Sequence, residues 1–189
     1  MYSQCGLQFP LQIGNVKAIT LKAPVEWEPQ ENLFKIKPVY PLTAEWAHIH
    51  ERLSASLPLA RLIRLDRIQN WWLWERYAMS QLRMEAKNCG VVNEMELFHG
   101  SRHTKPETIF RSEQGFDFRF ARHEGLWGAG IYFAVIASYS NDYAYCTPKG
   151  EKQLLLANVL TGLTCHSEVD RSLRKPQKKE AFDFLSWLH

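Results

Sequence analysis

The stretch MELFHGS, residues 95–101, combines a short alternating run with a glycine at its end. The alternation predicts a β-strand over 95–99, with Leu97 and His99 on one face and Phe98 on the other. A glycine directly after a strand lets a ligand come close to the backbone, whose N–H and C=O groups can then clamp an amide. We therefore expect His99 and Gly100 at the rim of a binding site.

Downstream, the stretch GAGIYFA at 128–134 predicts a second strand over 131–134. In such a strand Tyr132 and Ala134 would share one face, while Ile131 and Phe133 would face the core. A bulky aromatic ring beside a small side chain makes a slot with one flat wall. The glycines before the strand again permit close approach.

A helix is predicted over 135–145, and it carries Ser140 and Tyr143 three residues apart on one face. Tyr132 and Tyr143 could therefore enclose a planar ring, and the Ser140 hydroxyl could bond its substituent. A single histidine, tyrosine or serine in such places is more often structural, so only the combination favours a site. That site suits a flat ring bearing an amide, such as nicotinamide.

The remaining pattern predicts short helices and strands without a regular alternation, which is typical of an α+β fold with largely antiparallel sheets. Residues 1–43 contain five prolines and are predicted to be an irregular leader. The other expected elements are a helix over 44–55 with Thr43 as N-cap, a strand near Ile63 and Leu65, a helix over 71–84, a capping box from Thr104 to Glu107 that opens a helix to about Ser112, and a strand over 153–160.

Composition excludes several classes of protein. The 189 residues are 46% hydrophobic and 13% aromatic, which suits one globular domain with a leader. The net charge of +3 is only mildly basic, and the basic run at 171–179 is read as a solvated loop, so a nucleic-acid partner is not predicted. Four scattered cysteines predict neither a zinc site nor a disulfide framework. No apolar run approaches the roughly 18 residues of a membrane span, and an intracellular protein of the nucleus or cytoplasm is expected.

Four blocks of sequence, at 97–101, 128–134, 138–143 and 159–162, resemble in order the signature blocks of PARP (diphtheria-toxin-like) ADP-ribosyltransferase catalytic domains. Upstream, RIQN at 67–70 followed by LWE at 73–75 resembles the mono-ADP-ribosylating members. The resemblance covers about residues 45–176. It implies a fold of two packed, mainly antiparallel β-sheets with short flanking helices.

The resemblance also implies chemistry, with NAD⁺ as co-substrate and no metal. His99 would bond a ribose hydroxyl and, with Tyr132, form the catalytic pair. Gly100 and Ser140 would bind the nicotinamide carboxamide, and Tyr132 and Tyr143 would stack on the ring. The remaining NAD-binding positions are Ala134 in the pocket and Ser101, which would contact the adenosine side together with loop residues near Arg119.

Residues 177–189 do not match the family, whose members continue with further strands. We therefore expect the domain at 44–189 to lack its last strands and the third signature residue of the family. We assign neither Glu180 nor Asp183 as that residue. Two functions follow. The first is an NAD⁺-dependent mono-ADP-ribosyltransferase that modifies protein side chains, including its own. The alternative is a catalytically impaired pseudoenzyme that keeps the pocket as a binding module.

Overall fold

The computed structural model describes residues 21–164, 168–174 and 185–186. Within them the chain forms four α-helices, one 3₁₀ helix and ten β-strands. The helices are α1 (Ala44–Ser54), α2 (Trp71–Lys87), α3 (Pro106–Arg111), the 3₁₀ helix Phe118–Phe120 and α4 (Ala137–Asn141). The strands are β1 (Phe34–Pro38), β2 (Asp66–Asn70), β3 (Glu94–His99), β4 (Arg122–Gly125), β5 (Gly128–Gly130), β6 (Tyr145–Cys146), β7 (Lys152–Gln153), β8 (Leu155–Leu160), β9 (Leu163–Thr164) and β10 (Leu185–Ser186).

Strand pairing confirms the α+β class with mainly antiparallel strands. The pairs β1–β2, β3–β8, β4–β5 and β6–β7 are antiparallel, and β9–β10 is parallel. Over the described residues these strands form five separate two-stranded units.

The central pair is β3–β8, in which Leu97 lies opposite Ala157 and Phe98 opposite Leu156. Leu97 and Phe98 are both only 2% exposed, so both faces of β3 are covered. On its other edge β3 is bridged to Ala134, whose N–H and C=O each bond the Phe98 backbone at 2.8 Å. His99 is thus the last residue of a strand that is anchored in the core.

Helix α1 begins as predicted, because the Thr43 hydroxyl accepts a hydrogen bond from the Trp46 N–H at 3.2 Å. Its last turn is fixed to the core by Arg52, which donates to the carboxylate of Glu96, to the Glu96 carbonyl at 2.9 Å and to the Val135 carbonyl at 3.3 Å. Burial alone would raise the pKa of the Glu96 carboxyl. Hydrogen bonds from His48 and Arg52 outweigh that effect and hold this pKa below its ordinary value.

The predicted helix over 71–84 is confirmed as α2, which continues to Lys87. It starts because the Asn70 side chain accepts hydrogen bonds from the Trp72 and Leu73 N–H groups at 3.0 and 3.3 Å. The strand before it is β2, at 66–70, and the expected strand at Ile63 and Leu65 is wrong. Ile63 is 63% exposed, so the apolar residues at 62–65 are not a buried strand.

The leader was predicted to be irregular, and this is wrong for residues 34–38. They form β1, which pairs along its whole length with β2. Proline at the end of an edge strand does not prevent this pairing, because only its N–H is missing. Gln69 of β2 is fully buried, and its amide accepts from the Glu28 N–H at 3.1 Å and donates to the Glu28 carbonyl at 2.9 Å. Residues 1–20 lie outside the described residues.

Candidate functional site

A cavity of about 260 Å³ opens beside the end of β3. Its wall includes six of the seven residues predicted for the site. These are His99, Gly100, Ser101, Tyr132, Ser140 and Tyr143. Residues from β3, the loop after it, the segment after β5, α4 and the turn after α4 therefore meet around one space.

His99 lies at the end of β3, with its Nδ1 atom 2.8 Å from the Tyr132 carbonyl oxygen. A carbonyl can only accept, so Nδ1 carries the hydrogen, and in the neutral ring Nε2 is then the acceptor. Burial lowers the pKa of His99 and outweighs the hydrogen bond to Tyr132, which acts in the opposite direction. The lowered pKa favours the neutral ring. The rings of Phe116 and Phe133 pack against the imidazole at 5.0 and 5.3 Å. The site therefore holds an oriented imidazole that can accept a hydrogen bond from a hydroxyl.

Gly100 brings β3 into backbone contact with the end of α4. A Cβ atom on Gly100 would lie 2.3 Å from the Ser140 carbonyl oxygen and 2.6 Å from the Tyr143 carbonyl. The expected reason for this glycine was the approach of a ligand, and the structure adds the approach of the protein's own backbone. Ser140 is 4% exposed and lines the cavity at this junction.

Helix α4 is shorter than the predicted helix over 135–145, since it spans only Ala137–Asn141. Tyr143 therefore lies beyond the helix. Its N–H nevertheless bonds the Ser140 carbonyl at 3.0 Å, and this turn keeps the two residues on one side. The predicted pairing of Ser140 with Tyr143 at the cavity is retained by a turn rather than by a helix face.

Two residues that the sequence did not single out flank Tyr143. The Arg102 guanidinium carbon lies 4.7 Å from the centre of the Tyr143 ring, and the Tyr139 ring lies 5.7 Å away at 37°. Arg102 is held by a bond from its side chain to the Asp142 carbonyl at 2.7 Å. In the sequence, Arg102 is marked only by its position directly after Ser101, and Tyr139 only by its position four residues before Tyr143. Neither pattern is specific enough to predict a site residue.

The predicted strand over 131–134 is wrong. The strand is β5, at 128–130, and it pairs with β4 as a hairpin whose turn is at 126–127. Ile131, Tyr132 and Phe133 all line the cavity, so their expected alternation between cavity and core does not occur. Ala134 is 3% exposed, is paired with Phe98 and does not line the cavity.

The loop after β3 also differs from expectation. Lys105 is the N-cap of α3 and makes no side-chain cap, so the predicted capping box is wrong. The loop is closed instead by Ser101, whose hydroxyl donates to the Thr104 carbonyl at 2.6 Å. Arg119 is paired with Asp117, and the Arg119 side chain is 78% exposed outside the cavity wall.

The site contains more aromatic surface than the sequence analysis assigned. Phe116, Trp127, Phe133 and Tyr139 line the cavity together with the two predicted tyrosines. Phe116 and Phe133 contact each other edge to face at 4.8 Å. Such walls suit a flat apolar ring, and Gly100, Ser140 and His99 supply polar groups at the same cavity.

The described residues contain neither a cluster of metal ligands nor a helix that could span a membrane. No group of three or more histidine, cysteine, aspartate or glutamate side chains there is placed to hold a metal ion. None of the helices in that part of the chain is long and apolar enough to cross a membrane.

Comparison with known proteins identifies the family. The profile described as "Poly(ADP-ribose) polymerase catalytic domain" matches residues 43–182. The chain is 36% identical over 127 residues to a protein of Dictyostelium discoideum named as a probable poly(ADP-ribose) polymerase. This match covers 64% of this chain and 37% of that protein. It is 31% identical over 160 residues to the human protein mono-ADP-ribosyltransferase PARP14, covering 82% of this chain and 9% of that protein.

A third relative is the mouse protein mono-ADP-ribosyltransferase PARP12, which is 33% identical over 120 residues. That match covers 62% of this chain and 16% of that protein. The matched part thus spans between about a tenth and a little over a third of the length of these relatives. Since the family profile matches well over half of the chain, this protein belongs to the poly(ADP-ribose) polymerase catalytic-domain family.

Proposed function

We propose that this protein is an NAD⁺-dependent ADP-ribosyltransferase that transfers single ADP-ribose units to protein side chains. The observation that carries the proposal is the neutral, oriented imidazole of His99 at a cavity lined by Tyr132 and Tyr143. The names of the PARP14 and PARP12 relatives support transfer of single units and favour an enzyme over the pocket-binding alternative.

The residues of the cavity fit the nicotinamide end of NAD⁺. The aromatic walls suit the ring, and Tyr132 and Tyr143 are the proposed stacking partners. The backbone groups of Gly100 and the Ser140 hydroxyl would bond the carboxamide. His99 Nε2 would accept a hydrogen bond from a ribose hydroxyl, because Nδ1 already donates to the Tyr132 carbonyl.

Two assignments have weaker support. Ser101 lines the cavity and is proposed for the adenosine side, although its hydroxyl already donates to Thr104. Ala134 is buried behind the wall, so any effect on NAD⁺ would act through its pairing with Phe98.

In the proposed reaction the bond between ribose and nicotinamide breaks, and its electron pair leaves with the ring. Nicotinamide departs neutral, and the ribose carbon is captured by a protein nucleophile that loses a proton. The residues then contribute orientation and charge stabilisation rather than strong acid catalysis, and no metal is needed. Proposed acceptors are other proteins and the chain itself, in the nucleus or cytoplasm.

The test is transfer from labelled NAD⁺ by the purified chain, read as nicotinamide release and as label on protein. His99→Ala should lose both signals while keeping cooperative thermal unfolding. Tyr40→Ala, at a side chain 66% exposed outside the cavity wall, is the control and should behave as wild type. Wild-type protein that is folded but gives neither nicotinamide nor labelled protein would contradict the proposal.

A further inference from the structure

The Tyr132 side chain makes a contact that stacking on a ligand does not require. Its hydroxyl donates to the Gly128 carbonyl at 2.6 Å and accepts from the Trp127 N–H at 3.2 Å. Trp127 belongs to the turn of the β4–β5 hairpin, at 126–127, and Gly128 is the residue that directly follows this turn. One phenol oxygen thus uses both its donor and an acceptor on the backbone of a single turn.

The opposite side of the turn is shaped to receive this phenol. A Cβ atom on Gly125 would lie 2.0 Å from the Tyr132 hydroxyl oxygen and 2.4 to 2.6 Å from its ring carbons. The Tyr132 ring therefore packs directly on the Gly125 backbone, in space that any other residue would fill. Gly130, on the other strand of the same hairpin, is not so constrained, since its Cβ would meet the Tyr132 ring at 3.8 Å.

The turn held by Tyr132 is part of the cavity wall, to which Gly125, Leu126 and Trp127 contribute. Strand β5 has a separate attachment, because the Ala129 N–H bonds the Leu173 carbonyl at 3.0 Å. The turn itself is linked to the cavity-lining segment at 131–133 by its two hydrogen bonds to the Tyr132 hydroxyl. The position of this wall is thus coupled to the ring proposed to stack on nicotinamide.

We propose that the Tyr132 hydroxyl is a positioning group that holds the turn at 126–127 in the cavity wall, so that one side chain provides both a ring surface and the anchor for the adjoining part of the wall. The inference deepens the proposed function and rests on it only where NAD⁺ is concerned. The ring and the hydroxyl have separable tasks. The ring contacts the ligand, and the hydroxyl sets where the hairpin lies when the ligand arrives.

Tyr132→Phe separates the two tasks, because it keeps the ring and removes the hydroxyl. Amide hydrogen exchange at Trp127 should become about three- to tenfold faster, the factor expected for one net hydrogen bond, while amides of β3 and β8 keep their protection. The KM for NAD⁺ should rise by about the same factor with a smaller change in kcat. Affinity for 3-aminobenzamide, which needs mainly the ring, should change less than the KM for NAD⁺.

Gly125→Ala attacks the same contact from the other side and should give the same faster exchange at Trp127. Since both changes remove one contact, Tyr132→Phe combined with Gly125→Ala should be no worse than the more damaging of the two alone. Gly130→Ala is the matched control for hairpin exchange and should leave the Trp127 amide protected.

Unchanged exchange at Trp127 in Tyr132→Phe, or additive effects in the double variant, would overturn the anchoring role. These exchange measurements need no turnover. A wild-type chain that fails to cleave NAD⁺ would therefore contradict the proposed function while leaving the exchange result to decide the anchor.

Discussion

Gly100 and Ser140 touch through their backbones, so closely that a Cβ atom on Gly100 would lie 2.3 Å from the Ser140 carbonyl oxygen. This contact joins the end of β3 to the end of α4. The Arg102 N–H reinforces it by bonding the Tyr143 carbonyl at 2.7 Å. Main-chain contacts therefore help to fix the distance between His99 and the Ser140–Tyr143 turn, and the Arg102 side chain adds a further link through the Asp142 carbonyl and the Tyr143 ring.

Gly100→Ala should destabilise the protein by about 1–3 kcal/mol, the usual range for overpacking, because the new methyl group meets backbone atoms that cannot turn away. The measurement is the free energy of unfolding in urea. Gly130→Ala is the control, because its Cβ would have 3.8 Å of clearance, and it should stay within about 1 kcal/mol of wild type. Equal stabilities for the two variants would show that the β3–α4 contact is looser than described.

His99→Ala should abolish ADP-ribosyl transfer and weaken NAD⁺ binding by about tenfold or more, since a charge-neutral hydrogen bond and the packing of the ring are both lost. Stability should fall only modestly, because the imidazole lies at the cavity rather than in the β3–β8 core. Isothermal titration with NAD⁺ and nicotinamide release measure the two effects. Unchanged NAD⁺ affinity would show that the cavity assignment is wrong.

Acidification should weaken both ligand binding and stability through His99. Burial lowers the pKa of His99 below the ordinary value of 6.5, so the unfolded chain takes up the proton before the folded protein does. The stabilising contribution is therefore complete above about pH 6.5 and is lost progressively below it. Protonation of Nε2 also removes the acceptor for a ribose hydroxyl. Unfolding free energies at pH 7.5 and below 6 should differ less in His99→Gln than in wild type.

Tyr143→Ala should weaken the binding of 3-aminobenzamide by about 1–3 kcal/mol, the range measured for aromatic stacking on planar rings. Loss of the ring also removes the partner of the Arg102 guanidinium, so Arg102→Ala tests whether the cation matters for the ligand. Thermal shift with and without the ligand gives both results. If Tyr143→Ala retains a wild-type shift, stacking on this ring is not part of binding.

Arg52→Met should loosen α1 from the core and cost about 1.5–3 kcal/mol, the range for hydrogen bonds to charged groups. Methionine has a similar length, but it lacks the guanidinium that lies 5.2 Å from the centre of the Phe98 ring and donates to Glu96 and Val135. Arg64→Met, at an ion pair whose arginine side chain is 73% exposed, is the control and should change stability by less than about 1 kcal/mol. Equal losses for the two variants would argue against a specific role for Arg52.

The sequence predicted the elements whose signals are local. Thr43 caps α1 with its own side chain, as predicted, and the alternation at 95–99 marks a strand whose two faces are both covered. Six of the seven predicted site residues line one cavity, and long-range contacts such as the one between His99 Nδ1 and the Tyr132 carbonyl bring them together.

Several errors came from long-range contacts. Ala134 pairs with Phe98, and this pairing draws residues 131–133 out of the regular strand that their pattern suggested. The prolines of residues 1–43 favoured an irregular segment over β1. The pairing of β1 with β2 could not be predicted, because no residue near Phe34 indicates that β2 lies beside it. Arg102 was missed for the same reason, because its partner Tyr143 is brought near only by the fold.

The pairing of Gln69 with Glu28 has a practical consequence for where this protein can be cut. Similarity to the family starts at residue 43, yet the fully buried Gln69 amide is satisfied by a backbone fifteen residues upstream of that point. A fragment starting at 43 would also lose β1 and the Trp27 ring, 5.9 Å from Trp71. Its exposed β2 edge would offer a template for aggregation. The smallest unit worth expressing is therefore defined by hydrogen bonding, and it starts well before the recognisable domain.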